Sequence, residues 1–346
     1  MLPYFLVLIL VLFWILFEQR VLNRIAFWVP LAILSLFAGM RSYRVGTDSG
    51  TYTRNFRSSL DINSFELTGN REFGYQLLEY TLLRLNAEYF WLLFLTSIIV
   101  VYCYLTIIKK YSVNYIFSVF LFITLGVYTF FFNGLRQGLA MAIFALAVPY
   151  LLEKRLVPYL IIIAIASLFH GTALFMIPFY FLVNLRVKPI YKILATFVGS
   201  LFVSRFLIIY ISSSNERYES YGTLDQEGGG YLTLGFYTLI MIILYMIIRI
   251  YNITDRKFIQ LFTFYAIGVV FIIPIAMLGS NPSGPQRLLT YFTWTLILIL
   301  PIIFKRINNN YITSSAVILF IIYFTLTTSA FSDLSPYIIN PVFEIF

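Results

Sequence analysis

Apolar and polar positions along this chain alternate in blocks of about twenty residues, far longer than the period of two or four that marks a half-buried strand or a surface helix. Twelve apolar runs stand out, at 3–17, 25–39, 89–108, 115–132, 134–152, 156–169, 171–185, 190–211, 231–249, 258–278, 288–304 and 311–330. A helix needs roughly 20 apolar residues to cross about 30 Å of hydrocarbon, and somewhat shorter runs are tolerated. The pattern therefore predicts an all-α fold, a polytopic transmembrane helix bundle of about 12 spans forming a single integral membrane domain over 1–346. The first run, from Leu2 to Phe17, has no basic stretch before it and no small-residue cleavage site after it. It is read as a retained span.

Three polar stretches interrupt the runs at 40–88, 212–230 and 279–287. Within the first, Phe73, Leu77, Leu78, Leu82 and Leu85 recur at the spacing of one helical face, which predicts an external amphipathic helix over 72–86 lying on the membrane. The 212–230 loop, with Gly228, Gly229 and Gly230 after Asp225 and Glu227, reads as an external linker or lid. Gly134, Gly138 and Ala142 repeat every fourth residue, a spacing that lets helix backbones approach closely in a membrane.

Composition agrees with the block pattern. The chain is 60% hydrophobic and 11% charged, with a mean hydropathy of +0.87. The net charge of +9 falls largely in short loops, where membrane topology and anionic lipid account for it and no nucleic-acid partner is needed. Cys103 is the single cysteine, so neither a disulfide framework nor a thiolate metal site can form within one chain.

Charge type then orients the bundle. All seven lysines (Lys109, Lys110, Lys154, Lys188, Lys192, Lys257 and Lys305) fall in or beside alternate gaps between runs, and the other gaps carry arginine alone. The bias of Lys and Arg toward the cytoplasm places the lysine gaps inside. Arg41, Arg44, Arg54, Arg57, Arg71, Arg136, Arg217 and Arg287 then face outward, with Asp48 and Glu72 among them. Arginine offers a planar fork of donors to phosphate or carboxylate and keeps its charge when desolvated, so an arginine-only face suggests an anionic ligand. Headgroup contact accounts for Arg54, Arg57 and Arg217 equally well. Arg41, Arg44, Arg136 and Arg287 are the stronger ligand candidates.

His170 is the only histidine and closes an apolar run ahead of Gly171 and Thr172. Imidazole exchanges a proton near neutral pH, which makes it a general-base candidate, although a hydrogen-bonding cap would explain it equally. Asp48 and Glu72 are rival bases, and each is equally a salt-bridge partner for a nearby arginine. No paired His or Cys spacing suggests a metal; Asp225 and Glu227 are the nearest carboxylate pair. Nucleophilic triads, Walker loops and dinucleotide fingerprints are absent from the sequence, so no cofactor is expected.

Several of these residues sit in a recognisable order. Asn133-Gly-Leu-Arg136-Gln-Gly-Leu-Ala-Met-Ala-Ile-Phe144, then Tyr150-Leu-Leu-Glu-Lys154, then Ala166-Ser-Leu-Phe-His170-Gly-Thr-Ala-Leu174 with Pro178, resemble the central block of the EpsG/Wzy family of bacterial polysaccharide polymerases. Ala38-Gly-Met-Arg41, Val45-Gly-Thr-Asp48 with Tyr52, and Glu72-Phe-Gly-Tyr75 look like that family's first external segment. Pro285-Gln-Arg287 resembles its late arginine. The resemblance covers about 38–305 and leaves 212–230 unmatched.

It implies glycosyl transfer without metal or nucleotide sugar, on the outer face of the bacterial cytoplasmic membrane. The implied partners are an undecaprenyl-pyrophosphate-linked oligosaccharide donor and acceptor, membrane lipid, and a possible chain-length regulator. Arg136 and Arg287, with Arg41 or Arg44, would hold the pyrophosphate, and His170, Asp48 or Glu72 would take the acceptor's proton. Competing readings are a flippase for the same lipid-linked oligosaccharide and a ligase with a non-repeat acceptor. A flippase should carry charge through the midplane and show internal symmetry, whereas this chain gathers charge at helix ends.

Overall fold

The computed structural model describes residues 1–58, 65, 67, 72–213, 230–279 and 284–343, with side chains excepted from 210 to 213. Helices, turns and one isolated bridge, Arg41 with Ile339, make up these residues, and no strand occurs among them. The chain begins with α1 (Leu2–Val21), α2 (Trp28–Gly39), the short α3 (Ser49–Tyr52) and α4 (Arg54–Arg57), α5 (Phe73–Arg84) and α6 (Tyr89–Tyr111). Next come α7 (Tyr115–Thr124), α8 (Val127–Asn133), α9 (Leu135–Ala145), α10 (Val148–Leu152), α11 (Leu156–Ser167) and α12 (Ile177–Asn184). The rest is α13 (Pro189–Ser213), α14 (Tyr231–Ile250), α15 (Arg256–Met277), α16 (Thr290–Thr293), α17 (Leu296–Ile307) and α18 (Asn310–Leu326).

Every one of the twelve apolar runs is helical, but they are not twelve full-length spans. Among the described residues, seven helices are by length and composition able to cross a membrane: Leu2–Val21, Tyr89–Tyr111, Tyr115–Asn133, Pro189–Ile209, Tyr231–Ile250, Arg256–Met277 and Asn310–Phe331. The pair Pro285–Thr293 and Leu296–Ile307, bent by 43°, makes an eighth if taken as one span. The other four runs form the shorter Trp28–Gly39, Leu135–Ala145, Leu156–Ser167 and Gly171–Asn184. The run at 134–152 breaks after Ala145, and that at 171–185 begins with a 3-10 turn, Gly171–Met176.

The chain divides into two compact units. The first comprises Met1–Pro149, Val157–Leu174 and Leu300–Phe346, and the second Tyr150–Leu156 and Phe175–Ile299. In the first, α2 packs on α6 where Gly39 lets the backbones close: a Cβ there would lie 2.9 Å from that of Phe94. Two hydrogen bonds secure this layer, Ser97 Oγ donating to Ser35 O (2.9 Å) and Tyr128 Oη to Leu34 O (2.7 Å). The repeat of small residues at 134, 138 and 142 has the packing use expected of it. A Cβ at Gly138 would come within 2.4 Å of the Phe131 Cβ, so α9 folds back tightly on α8.

A terminal segment closes over this unit. Ser42 N donates to Ile338 O and Asn340 N to Met40 O, both at 2.8 Å, while Gly46 N donates to Asp333 O at 2.9 Å. The second unit is arranged around α15, whose Gly268 admits the Phe292 ring where a Cβ would meet it at 2.0 Å. There Gln260 Nε2 donates to Asn184 Oδ1 (3.1 Å), and Tyr265 Oη to Tyr237 O (2.7 Å).

The amphipathic helix predicted over 72–86 is α5. Tyr75, Glu79 and Leu82 are buried, whereas Phe73, Leu77 and Leu85 are exposed. The polar Glu79 thus turns toward protein and most of the apolar stripe turns away from it.

Candidate functional site

Three of the residues marked by the sequence meet within the first unit. Arg136 occupies the first turn of α9, a helix otherwise buried along its length. Glu72 precedes α5, and His170 follows α11. Arg136 Nη1 donates to Glu72 Oε2, and the other carboxylate oxygen, Oε1, lies 3.6 Å from His170 Nε2. The second distance suits an ion pair and exceeds a hydrogen bond. All three side chains retain between 10% and 15% of their exposure, so the cluster is desolvated without being sealed.

The local backbone explains how Glu72 reaches both neighbours. Its φ of 49° and ψ of 43° place it in the left-handed region, and it caps α5 with no side-chain hydrogen bond. The carboxylate is thereby released from the task usual at this position. Two residues on, Gly74 N donates to Leu168 O at 2.8 Å, and a Cβ on Gly74 would come within 3.0 Å of the Leu168 Cβ. This close approach docks the start of α5 on the turn that carries His170.

Thr172 anchors the ring of His170: Thr172 N donates to His170 Nδ1 at 3.3 Å, and Thr172 Oγ1 lies 2.7 Å from the same nitrogen. Nε2 is left on the side of Glu72. Arg136 is bracketed by two rings, its guanidinium carbon 5.8 Å from the Tyr52 centroid and 5.6 Å from that of Tyr75. Burial, reinforced by Glu79, pushes the Tyr75 phenol well above its ordinary range. Glu79 accepts from Asn55 Nδ2 at 2.8 Å.

Electrostatics favour an anion here. A cation in the first turn of a helix adds to the positive end of the helix dipole, an arrangement that is unfavourable unless negative charge stands opposite. Glu72 supplies that charge within the protein. A phosphate oxygen would satisfy the same donors.

The remaining candidates are placed elsewhere. Asp48 precedes α3 and accepts from Thr47 Oγ1 at 3.2 Å. Its segment is fastened to α8 by Thr47 N donating to Asn133 Oδ1 (3.0 Å) and Ser49 Oγ to Phe132 O (3.1 Å), one turn ahead of Tyr52. Arg44 is exposed, with Nε donating to Tyr43 Oη at 3.3 Å, and Arg57 stacks on the same ring at 3.9 Å. These two guanidiniums hold the Tyr43 phenol below its ordinary range, Arg44 most strongly.

Arg41 is not turned toward solvent at all. It is 0% exposed, lies 4.2 Å above the Phe132 ring and donates from Nη1 to Ala38 O. Its Nε and Nη2 are buried with no hydrogen-bond partner among the described residues. Burial pushes its pKa down to about 10, so it remains charged at neutral pH. Arg287 lies in the second unit, half-buried on the 3-10 turn Pro285–Leu289. Arg71, Arg217, Asp225 and Glu227 fall outside the described residues, as does most of the 212–230 loop.

Sequence reasoning did not single out Thr172, Asn55 or Glu79. Thr172 sits two residues from His170, within reach of a local side-chain hydrogen bond. Glu79 follows Tyr75 by four and Glu72 by seven, which puts it on their helical face.

A family model matches residues 24–339, a stretch that contains the whole cluster and Arg287. The chain belongs to the EpsG family. Comparison with curated proteins and with solved structures finds no match. An EpsG-family membrane protein with several apolar helices is consistent with a polysaccharide polymerase, and membership covers both segments that frame the cluster, 38–75 and 133–178. Among the described residues no three His, Cys, Asp or Glu side chains gather as a metal site would require.

Proposed function

We propose that this EpsG-family protein is a membrane glycosyltransferase that polymerises lipid-linked repeat units. It would transfer the growing glycan from undecaprenyl pyrophosphate to the terminal sugar of the next unit, on the outer face of the bacterial cytoplasmic membrane. The acceptor hydroxyl attacks the anomeric carbon, the bond from that carbon to the pyrophosphate oxygen breaks, and the pyrophosphate leaves with the electron pair. The hydroxyl proton passes to a base on the protein.

The observation that carries this reading is the meeting of Arg136, Glu72 and His170, which come from three separate segments. Arg136 has the chemistry to bind the pyrophosphate and to stabilise charge as it leaves, a contribution that strengthens in a desolvated site. Before the donor binds, Glu72 occupies it. A pyrophosphate competing for Arg136 would leave the carboxylate facing His170 alone, where it orients the ring. His170 is therefore the preferred base, with Glu72 as its positioning residue.

Arg287, in the second unit, has the same anion-binding chemistry, and Arg44 is an exposed arginine on the first external segment. Arg41 is set aside as a ligand contact because its guanidinium is closed in. Holding donor and acceptor in line would supply much of the acceleration.

The test is gel analysis of surface glycan from cells lacking the protein and restored with wild type or Arg136→Ala. Wild type should return the ladder of chain lengths, whereas Arg136→Ala at equal protein level should leave single capped repeats. A normal ladder from Arg136→Ala would remove the pyrophosphate role. Loss of all surface glycan, with repeats trapped inside, would favour a flippase.

A further inference from the structure

The first unit contains a groove of about 580 Å³ lined by α1, α7, α17 and α18 and the turns beside them. Its floor is apolar, formed by Leu12, Phe117, Phe120, Pro301, Phe304 and Val317. Phe117 stacks on Phe120 with centroids 5.9 Å apart and meets Phe304 edge-on at 5.4 Å, which makes the floor a fixed wall. Its mouth is polar, with Lys305 among the asparagines at 114, 308, 309 and 310, and no carboxylate lines it.

Asn114 and Asn309 work as helix caps through their carbonyl oxygens. Asn114 Oδ1 accepts from Phe117 N at 3.2 Å, and Asn309 Oδ1 from Tyr311 N and Ile312 N at 2.9 and 3.2 Å. Each cap leaves an amide NH2 able to donate. The mouth therefore offers one ammonium and several amide donors above an apolar trough. A few polar groups over a mostly apolar lining, at this volume, is the ordinary make-up of a ligand site.

Membrane position argues for what fills it. α1 and α18 both have the composition of membrane spans and leave most of their apolar surface uncovered by protein, so the groove opens where lipid chains run. Lys109 and Lys110 end α6 just before the groove's Val113, and Arg306 follows Lys305. Basic pockets between membrane helices select anionic headgroups. We propose that this groove is a binding site for an anionic phospholipid of the bilayer. The phosphate lies at Lys305 and the asparagine amides, and an acyl chain lies along the aromatic floor.

The test uses the full chain purified in mild detergent and titrated with phosphatidylglycerol or phosphatidylcholine in mixed micelles, with bound lipid counted by native mass spectrometry. Wild type should retain phosphatidylglycerol in preference to phosphatidylcholine. Lys305→Gln changes an exposed side chain and spares the Asn309 cap; it should weaken phosphatidylglycerol retention about fivefold, the weight of one basic residue beside an anionic headgroup. Val317→Trp, which fills the trough, should abolish it, and Leu12→Trp does the same from α1 if the first variant misfolds.

Equal retention of the two lipids by wild type would overturn the proposal, as would phosphatidylglycerol binding untouched by either substitution. Loss in Val317→Trp without loss in Lys305→Gln would overturn the headgroup assignment. A polyprenyl phosphate recovered from the groove in place of phospholipid would overturn the choice of occupant.

Discussion

Glu72 holds a left-handed backbone conformation that costs a non-glycine residue about 1 kcal/mol or more, and its carboxylate makes no cap in return. The strain is offset by the contacts with Arg136 and His170, which argues that the carboxylate is positioned for those two groups. Glu72→Gln should therefore lower two kinetic constants for different reasons. Arg136 loses its internal competitor, so the donor KM should fall; the imidazole loses its anion, so kcat should fall as well. Steady-state polymerisation with purified donor would check this, and a rise in KM would contradict it. His170→Gln should lower kcat by about 10² or more with donor binding intact, the usual weight of a general base. Arg41 makes the contrasting case. Arg41→Met removes a buried charge, two of whose nitrogens have no hydrogen-bond partner among the described residues, while keeping its length, a change that is commonly neutral or stabilising. An unchanged donor KM and an equal or higher Tm are expected, and a KM raised as in Arg136→Ala would return Arg41 to the binding site. The residue types at the cluster were legible in the sequence because arginine, glutamate and histidine are conspicuous in so apolar a chain. The fate of Arg41 was not, because the residues it meets, Phe132 and the bridge partner Ile339, are far away in sequence.

Among the elements, α9 decides where Arg136 stands, and its position depends on contact with α8. Gly138 has no room for a side chain: its Cβ would meet the Phe131 Cβ at 2.4 Å and Cα at 2.8 Å. Relief requires α9 to shift. Gly138→Ala should cost about 1–3 kcal/mol, as overpacking does, and should shorten the polymer ladder because Arg136 moves with its helix. Thermal unfolding in detergent and the glycan gel check the two effects together, and an unchanged Tm would show that the interface yields freely. Helices themselves were easy to read in this chain, since an apolar run of fifteen or more residues leaves little choice. Their lengths were harder, because breaks after Ala145 and around Gly171 fall inside hydrophobic sequence. The orientation of α5 was harder still. Apolar residues lie on both sides of it, and burying Tyr75, Glu79 and Leu82 depends on the partners that Asn55 and Leu168 present.

At the scale of the whole molecule, the segregation of lysine from arginine is the feature that ties fold to proposed function, because the cluster must face the side where lipid-linked glycan is polymerised. Seven full-length helices would put the chain's two ends on opposite sides of a bilayer and eight on the same side, so the span count of the fold does not by itself orient the cluster. The charge bias predicts an outward-facing cluster, and chemistry on single cysteines tests it. Cys103 is 4% exposed, so the natural chain should be nearly silent to a membrane-impermeant maleimide. Arg84 and Arg306 are both exposed and outside the cluster. Arg84→Cys should be labelled in intact cells, and Arg306→Cys only after the membrane is opened. The reverse result would turn the Arg136 cluster toward the cytoplasm and Lys305 outward, ending the polymerase reading at this site while leaving the helices as described. The expected result would place the arginine cluster and the lysine-lined groove on opposite leaflets, one disposed to handle lipid-linked glycan and the other to hold bilayer phospholipid.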